Sequence, residues 1–139
     1  ASLGELEALE PDMPALSALS KELDVVGVHA FALSDDGYTA HVRNFAPLYD
    51  IPEESATGTA NAALTYYLLK NGVIGEGAQC RFMQGEAMRR PSVVATQMRT
   101  NGSVYVGGNS YILAKGETLY EIGQQGGLTL VRRLSSVGE

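Results

Sequence analysis

The segment Gly58 to Lys70 (GTANAALTYYLLK) constrains the fold more than any other stretch of this chain. Its composition is helical, and apolar side chains fall around most of the helix circumference. A helix that is apolar on nearly every side has to be walled in on nearly every side. Asn71-Gly72 closes it with a pair that tolerates the left-handed backbone of a C-cap. The walls must come from the flanking segments, and these read as strands. Val25 to Leu33 (VVGVHAFAL) is almost wholly apolar, the pattern of a strand covered on both faces. The turn cluster Ser34-Asp35-Asp36-Gly37 leads into a returning strand, Tyr38 to Ala46, which Pro47 ends. Further strands are expected at Cys80 to Gln84, Ser92 to Arg99 and Ser103 to Val106, the last two joined by the hairpin signal Asn101-Gly102. Ser110 to Leu113 and Leu119 to Ile122 read as short strands, while the run Leu128 to Leu134 after Gly126-Gly127 has no assigned role. The expectation is an α+β fold, strands wrapped around one buried helix.

Upstream, Leu3, Leu6, Leu9, Met13, Leu16, Leu19 and Leu23 follow the spacing of one helix face. Pro11 interrupts them, which predicts a short turn at Leu6 to Leu9 and a helix from Met13 to Glu22. Asp12 stands where the N-cap of that helix belongs.

Composition removes several classes of function. At 139 residues the chain has the length of one ordinary domain. Its single cysteine, Cys80, closes no internal disulfide and excludes a multi-cysteine zinc or redox framework. Ten basic residues against sixteen acidic ones give a net charge of -6. That balance repels phosphate backbones and anionic lipid heads, so neither nucleic acid nor a membrane is an expected partner. The apolar stretch Ala60 to Leu69 is far short of the roughly 20 residues a spanning helix needs. The acidic N-terminus carries no signal-peptide pattern, and an unpaired thiol suits a reducing compartment, so a cytoplasmic location is expected. Asn101-Gly102-Ser103 is then a turn rather than a glycosylation acceptor.

Most candidate chemistry is weak. His29 and His41 lie on separate expected strands with no ligand at metal spacing, and each reads as a hydrogen-bonded structural histidine. Cys80 has no adjacent base and reads as a small core residue. Gly72, Gly75 and Gly77 form no phosphate cradle, and Arg89-Arg90 is a lone basic pair. The segment Pro52-Glu53-Glu54-Ser55-Ala56-Thr57-Gly58-Thr59-Ala60 is different. Two carboxylates meet a Thr-Gly-Thr run at the start of the expected buried helix, where free amides and the positive dipole end suit a substrate carboxylate. Gly58 would let a ligand approach the backbone, Glu53 or Glu54 could take a proton or bind an ammonium, and Thr59 could donate to a ligand oxygen. Residue types alone leave a plainer reading open, in which Thr57 or Ser55 caps the helix and the glutamates favour its dipole.

Ordered blocks carry a family resemblance. Arg43-x-Phe45-Ala46-Pro47, followed by Glu53-Glu54-Ser55-Ala56-Thr57-Gly58-Thr59-Ala60, resembles the R-x-F-x-P and E-D-P-A-T-G-S-A blocks of the PhzF-like isomerases of phenazine biosynthesis. Gln84-Gly85-x-x-Met88-x-Arg90-Pro91-Ser92 and Val104-x-Val106-Gly107-Gly108 resemble the family's Q-G-x-x-M-G-R-P-S and V-x-V-G-G blocks. These enzymes belong to the diaminopimelate-epimerase-like superfamily, and the match is to their C-terminal half.

The resemblance implies a barrel-like, mostly antiparallel sheet wrapped around one central helix, spanning residues 1–118, with 119–139 as a C-terminal tail. It implies an isomerase that needs no cofactor or metal and shifts a proton on a small carboxylate-bearing substrate, the site lying between this half and an N-terminal half. By motif position Glu54 stands for the family's substrate-holding aspartate and Thr59 for its serine, and Thr57, Gly58, Thr59 and Ala60 form the binding segment. The main proton-moving glutamate belongs to the other half, so this half alone is expected to be inactive. The partner is that N-terminal half, a second subunit, or a second copy forming a homodimer. Four departures are visible: Glu54 for aspartate, Ser55 for proline, Thr59 for serine and Arg89 for glycine. The alternative is a non-catalytic binding or assembly module that retains the fold.

Overall fold

The computed structural model describes residues 2–116, 119–122 and 128–132. It divides into two compact units, 1–109 and 110–139. The expected boundary between 118 and 119 touches residues outside those described.

The first unit opens with α1 (Leu3–Glu7), capped by Ser2 and Glu5 in a reciprocal box. Helix α2 (Met13–Glu22) follows, and the Asp12 carboxylate accepts from the Ala15 amide at 3.0 Å, as the sequence predicts. Then come β1 (Val28–Leu33), β2 (Ala40–Ala46), a 3-10 turn at Pro47–Tyr49, β3 (Ile51–Glu54), α3 (Gly58–Lys70), β4 (Gln79–Gln84), β5 (Ser92–Met98) and β6 (Val104–Gly107). In the second unit β7 (Leu119–Ile122) and β8 (Leu128–Arg132) pair antiparallel. The expected strand at Ser110 to Leu113 is not formed: the segment pairs with nothing among the described residues, and Leu113 is 96% exposed.

The six strands of the first unit form one sheet in the order β1-β2-β4-β5-β6, with β3 beside β2. All pairings are antiparallel except β2 with β4. That pairing shapes the site. One edge of β2 is shared, with Val42 opposite Gln84 at the end of β4 and Asn44 opposite Glu54 at the end of β3. Both strands therefore finish at the same place, on either side of Arg43, just before α3 begins.

The α+β expectation holds, whereas the closed, barrel-like sheet does not. Among the described strands of this unit the sheet is open, with β1 and β6 at its edges. Helix α3 is correspondingly walled on one side. Its buried residues are Asn61, Leu64, Thr65 and Leu68, a single stripe at helical spacing. Tyr66 and Tyr67 on the far side are about half exposed, at 45% and 53%. The stripe meets Ala40, Val42, Cys80 and Phe82 to form the core, with Phe31 and Ile74 at its margin. β1 is likewise an edge strand rather than one covered on both faces, since Leu33 is exposed and only Ala32 is fully buried. No described helix is long and apolar enough to cross a membrane.

Candidate active site

The two adjacent glutamates have different neighbours. Glu53 makes a bidentate ion pair with Arg43, both oxygens 2.9 Å from the guanidinium, and both side chains are largely buried. Arg43 also donates to the carbonyls of Leu6 and Leu9, tying the end of α1 to β2. Glu53 is thus a structural partner and not a free base. Glu54 is half-buried and takes one hydrogen bond, from the Thr57 hydroxyl to Oε2 at 2.8 Å.

Thr57 occupies the N-cap position of α3 but does not cap it. Its hydroxyl points to Glu54 instead of accepting from the first turn. The amides of Gly58, Thr59 and Ala60 therefore have no acceptor among the described residues, and the first helical bond runs from the Asn61 amide to the Thr57 carbonyl. Three unpaired amides at the positive end of a helix can donate to an anionic group. Thr59 is exposed, its hydroxyl unbonded among the described residues, and Ala60 lines a cavity of about 380 Å3 with His29, Phe31, Ala63, Leu64 and Tyr67. Gly58 has a packing reason as well, because a Cβ there would lie 3.2 Å from Val106 Cγ1.

Behind this segment lie two residues to which sequence reasoning gave no role, Gln84 and Asn61, both fully buried. Gln84 Nε2 donates to the Glu54 carbonyl (2.7 Å) and to Thr57 Oγ1 (2.9 Å). Its Oε1 accepts from the Thr57 amide (3.1 Å) and from Asn61 Nδ2 (2.9 Å). Asn61 also donates to the Thr57 carbonyl and turns its Oδ1 to His29 Nε2. The available signal was a glutamine closing a strand immediately before a glycine.

The two histidines are structural, as expected. His29 sits between Asn44 and Asn61, and burial pulls its pKa below the usual value against the pull of those hydrogen bonds. His41 is held between Asp36 and Glu86; burial opposes its charge, but the two carboxylates outweigh it and raise its pKa. The Cys80 thiol is buried and its pKa is raised by that burial. Among the described residues no cluster of His, Cys, Asp or Glu could hold a metal ion.

The chain is similar to several known proteins. Residues 1–116 match the family of phenazine biosynthesis-like proteins. An uncharacterized isomerase of Deinococcus radiodurans is 37% identical over 80% of this chain and 38% of its own length. A trans-2,3-dihydro-3-hydroxyanthranilate isomerase of Pseudomonas chlororaphis is 31% identical over 83% of this chain and 41% of its own. Among solved structures, one described as a predicted epimerase from Pseudomonas aeruginosa superposes with a TM-score of 0.59 at 26% identity, covering 83% of this chain and 41% of that one. The chain thus spans about two-fifths of the relatives it matches (38% and 41%). With its motif blocks meeting at the start of α3, this chain belongs to the phenazine biosynthesis-like protein family.

Proposed function

We propose that this chain is the C-terminal half of a cofactor-independent, cytoplasmic isomerase that moves a proton on a small carboxylate-bearing substrate. The observation that carries this reading is the uncapped start of α3, with three unpaired amides beside a half-buried carboxylate. In this reading the amides of Gly58, Thr59 and Ala60 receive the substrate carboxylate. The Thr59 hydroxyl donates to a substrate oxygen, and Glu54 accepts from the substrate's amino or hydroxyl group. A glutamate of the N-terminal half, on the same chain or on a second subunit, takes a proton from one carbon and returns it to another. The name of the Pseudomonas chlororaphis relative suggests a dihydro-hydroxyanthranilate-like acid as the substrate class. Glu54 is one methylene longer than the family's aspartate, enough to move a carboxylate by roughly 1 Å, and such shifts cost about 100-fold in rate. A shifted substrate preference follows from that.

Solvent deuterium incorporation into trans-2,3-dihydro-3-hydroxyanthranilate tests the proposal in the full-length protein. Glu54→Ala and Thr59→Ala are each expected to slow incorporation by about 100-fold, the usual effect of losing a positioned polar group at a reacting centre. Unchanged rates in both variants would favour the reading of this half as a non-catalytic binding or assembly module. Incorporation at enzymatic rates by residues 1–139 alone would overturn the placing of the site between two halves.

A further inference from the structure

We propose that Gln84 is the positioning residue of this site: its buried carboxamide directs the Thr57 hydroxyl onto Glu54 and so keeps that hydroxyl from capping α3. The inference rests on the reading of the α3 start as a carboxylate receptor. A threonine at an N-cap ordinarily accepts from the amide of the third helical residue, here Ala60. That bond would close one of the three free donors. Thr57 does not make it, and the hydrogen-bond inventory explains why.

Gln84 is fully buried and has both amide protons and both oxygen lone pairs engaged. Its orientation is fixed by its partners: the Thr57 amide and Asn61 Nδ2 are donors and require Oε1, while the Glu54 carbonyl is an acceptor and requires Nε2. Nε2 therefore donates into Thr57 Oγ1 at 2.9 Å. A hydroxyl that accepts from Gln84 must point its own proton elsewhere, and the acceptor within reach is Glu54 Oε2 at 2.8 Å. The chain Gln84 to Thr57 to Glu54 thus runs in one direction. It fixes the Glu54 carboxylate beside the helix start. One lone pair of Oγ1 stays unused, so it is position and not proton direction that forbids the cap: held between Gln84 and Glu54, Oγ1 accepts from no first-turn amide, and that of Ala60 stays open.

The topology supplies the rigidity this needs. Gln84 ends β4 opposite Val42, Glu54 ends β3 opposite Asn44, and the shared edge of β2 holds both. Gly85, at φ +86°, brings the following turn so close to Ser55 that an added Cβ would lie 2.9 Å from the Ser55 carbonyl. Gln84 acts only through Thr57 and Glu54.

The experiment is amide hydrogen exchange by NMR on the full-length protein, with benzoate titration as a carboxylate probe. In the native protein the Ala60 amide is expected to exchange as an unbonded group. In Gln84→Met the Thr57 hydroxyl is released to cap α3, so exchange at Ala60 slows by about 10-fold and benzoate binds about 10-fold more weakly. Thr57→Val removes the hydroxyl, and adding Gln84→Met to it is expected to leave Ala60 exchange unchanged. Slowing of the same size with Thr57→Val present, or no slowing in Gln84→Met, would overturn the proposal. Should Gln84→Met fail to fold, Thr57→Val alone keeps a test: Ala60 exchange is expected to match the native protein, and faster exchange would mean that the hydroxyl caps α3 after all and would overturn the proposal. A native protein that ignores benzoate would sink the carboxylate-receptor reading while leaving the exchange result to decide the role of Gln84.

Discussion

Arg89 stands at φ +55°, a left-handed conformation that an arginine adopts only under constraint. The constraint is the tight turn after β4, where the amides of Met88 and Arg90 donate to the Gly85 carbonyl and that of Arg89 to Glu86. The family motif has glycine at this position, and the structure supplies the reason: the turn needs positive φ there. The Arg89 side chain is exposed and makes no hydrogen bond among the described residues. Arg89→Gly is therefore expected to stabilise the fold by about 1 kcal/mol, the relief of left-handed strain less the added freedom of glycine in the unfolded chain. Urea denaturation reads this directly, and a loss of stability would mean the arginine has a partner of its own. His41 makes a pH-dependent contribution. Its ring is 5% exposed between Asp36 and Glu86, and its folded pKa is raised above the unfolded value near 6.5. Stabilisation from the charged ring is complete below the unfolded pKa and fades as pH rises through the raised folded one. His41→Gln is expected to lower the urea midpoint more at pH 5.5 than at pH 8.5. An equal loss at both values would show that the ring contributes by packing alone.

Elements differ in how far local sequence determines them. Helix α2 was legible to the residue because the break at Pro11, an aspartate cap and a leucine stripe all act within a few positions. The Asn101-Gly102 turn was legible for the same reason, with Gly102 at φ +82° and Asn101 Oδ1 accepting from Ser103. Strand β3 was not. Ile51-Pro52-Glu53-Glu54 has no strand pattern, and it is extended because β2 offers an unpaired edge beyond the end of β4. The candidate site was half legible: Thr57, Gly58 and Thr59 stood out as a helix start, while Gln84 comes from another strand and shows its role only once β3 and β4 end together. That convergence gives Gly85 its importance. A Cβ at Gly85 would lie 2.4 Å from the Arg90 carbonyl and 2.9 Å from Ser55, all backbone or its immediate neighbour. At Gly77, with φ +76°, an added Cβ meets nothing within 4 Å. Gly77→Ala is expected to cost about 1 kcal/mol, the backbone term alone. Gly85→Ala should cost about 2 kcal/mol more, because overpacking adds to it. Thermal denaturation of the two variants separates these terms, and equal losses would mean the Ser55 segment yields freely.

On the scale of the whole molecule, the sequence pattern and the structure disagree about α3, and the disagreement is informative. Apolar residues occur around most of its circumference, yet the described strands cover only the stripe from Asn61 to Leu68. Ala60, Ala63 and Tyr67 instead line the open cavity beside Phe31 of β1, an edge strand among those described. Tyr67 meets Phe31 edge-on, the ring centroids 6.0 Å apart and the planes at 67°. An aromatic pair of this kind on an open surface contributes about 1 kcal/mol, whereas truncating an aromatic ring packed in a closed core costs about 3–5 kcal/mol. The gap between those figures makes Tyr67→Ala a gauge of whether the face is covered. In residues 1–139 alone the expected loss is about 1 kcal/mol, because Tyr67 is 53% exposed there. The same substitution with the proposed N-terminal half present is the comparison to make, by urea denaturation of both. A loss of about 3 kcal/mol or more only with that half present means that it covers this face of α3. A small loss in both leaves the face bare, and the apolar circumference of α3 is then not explained by packing.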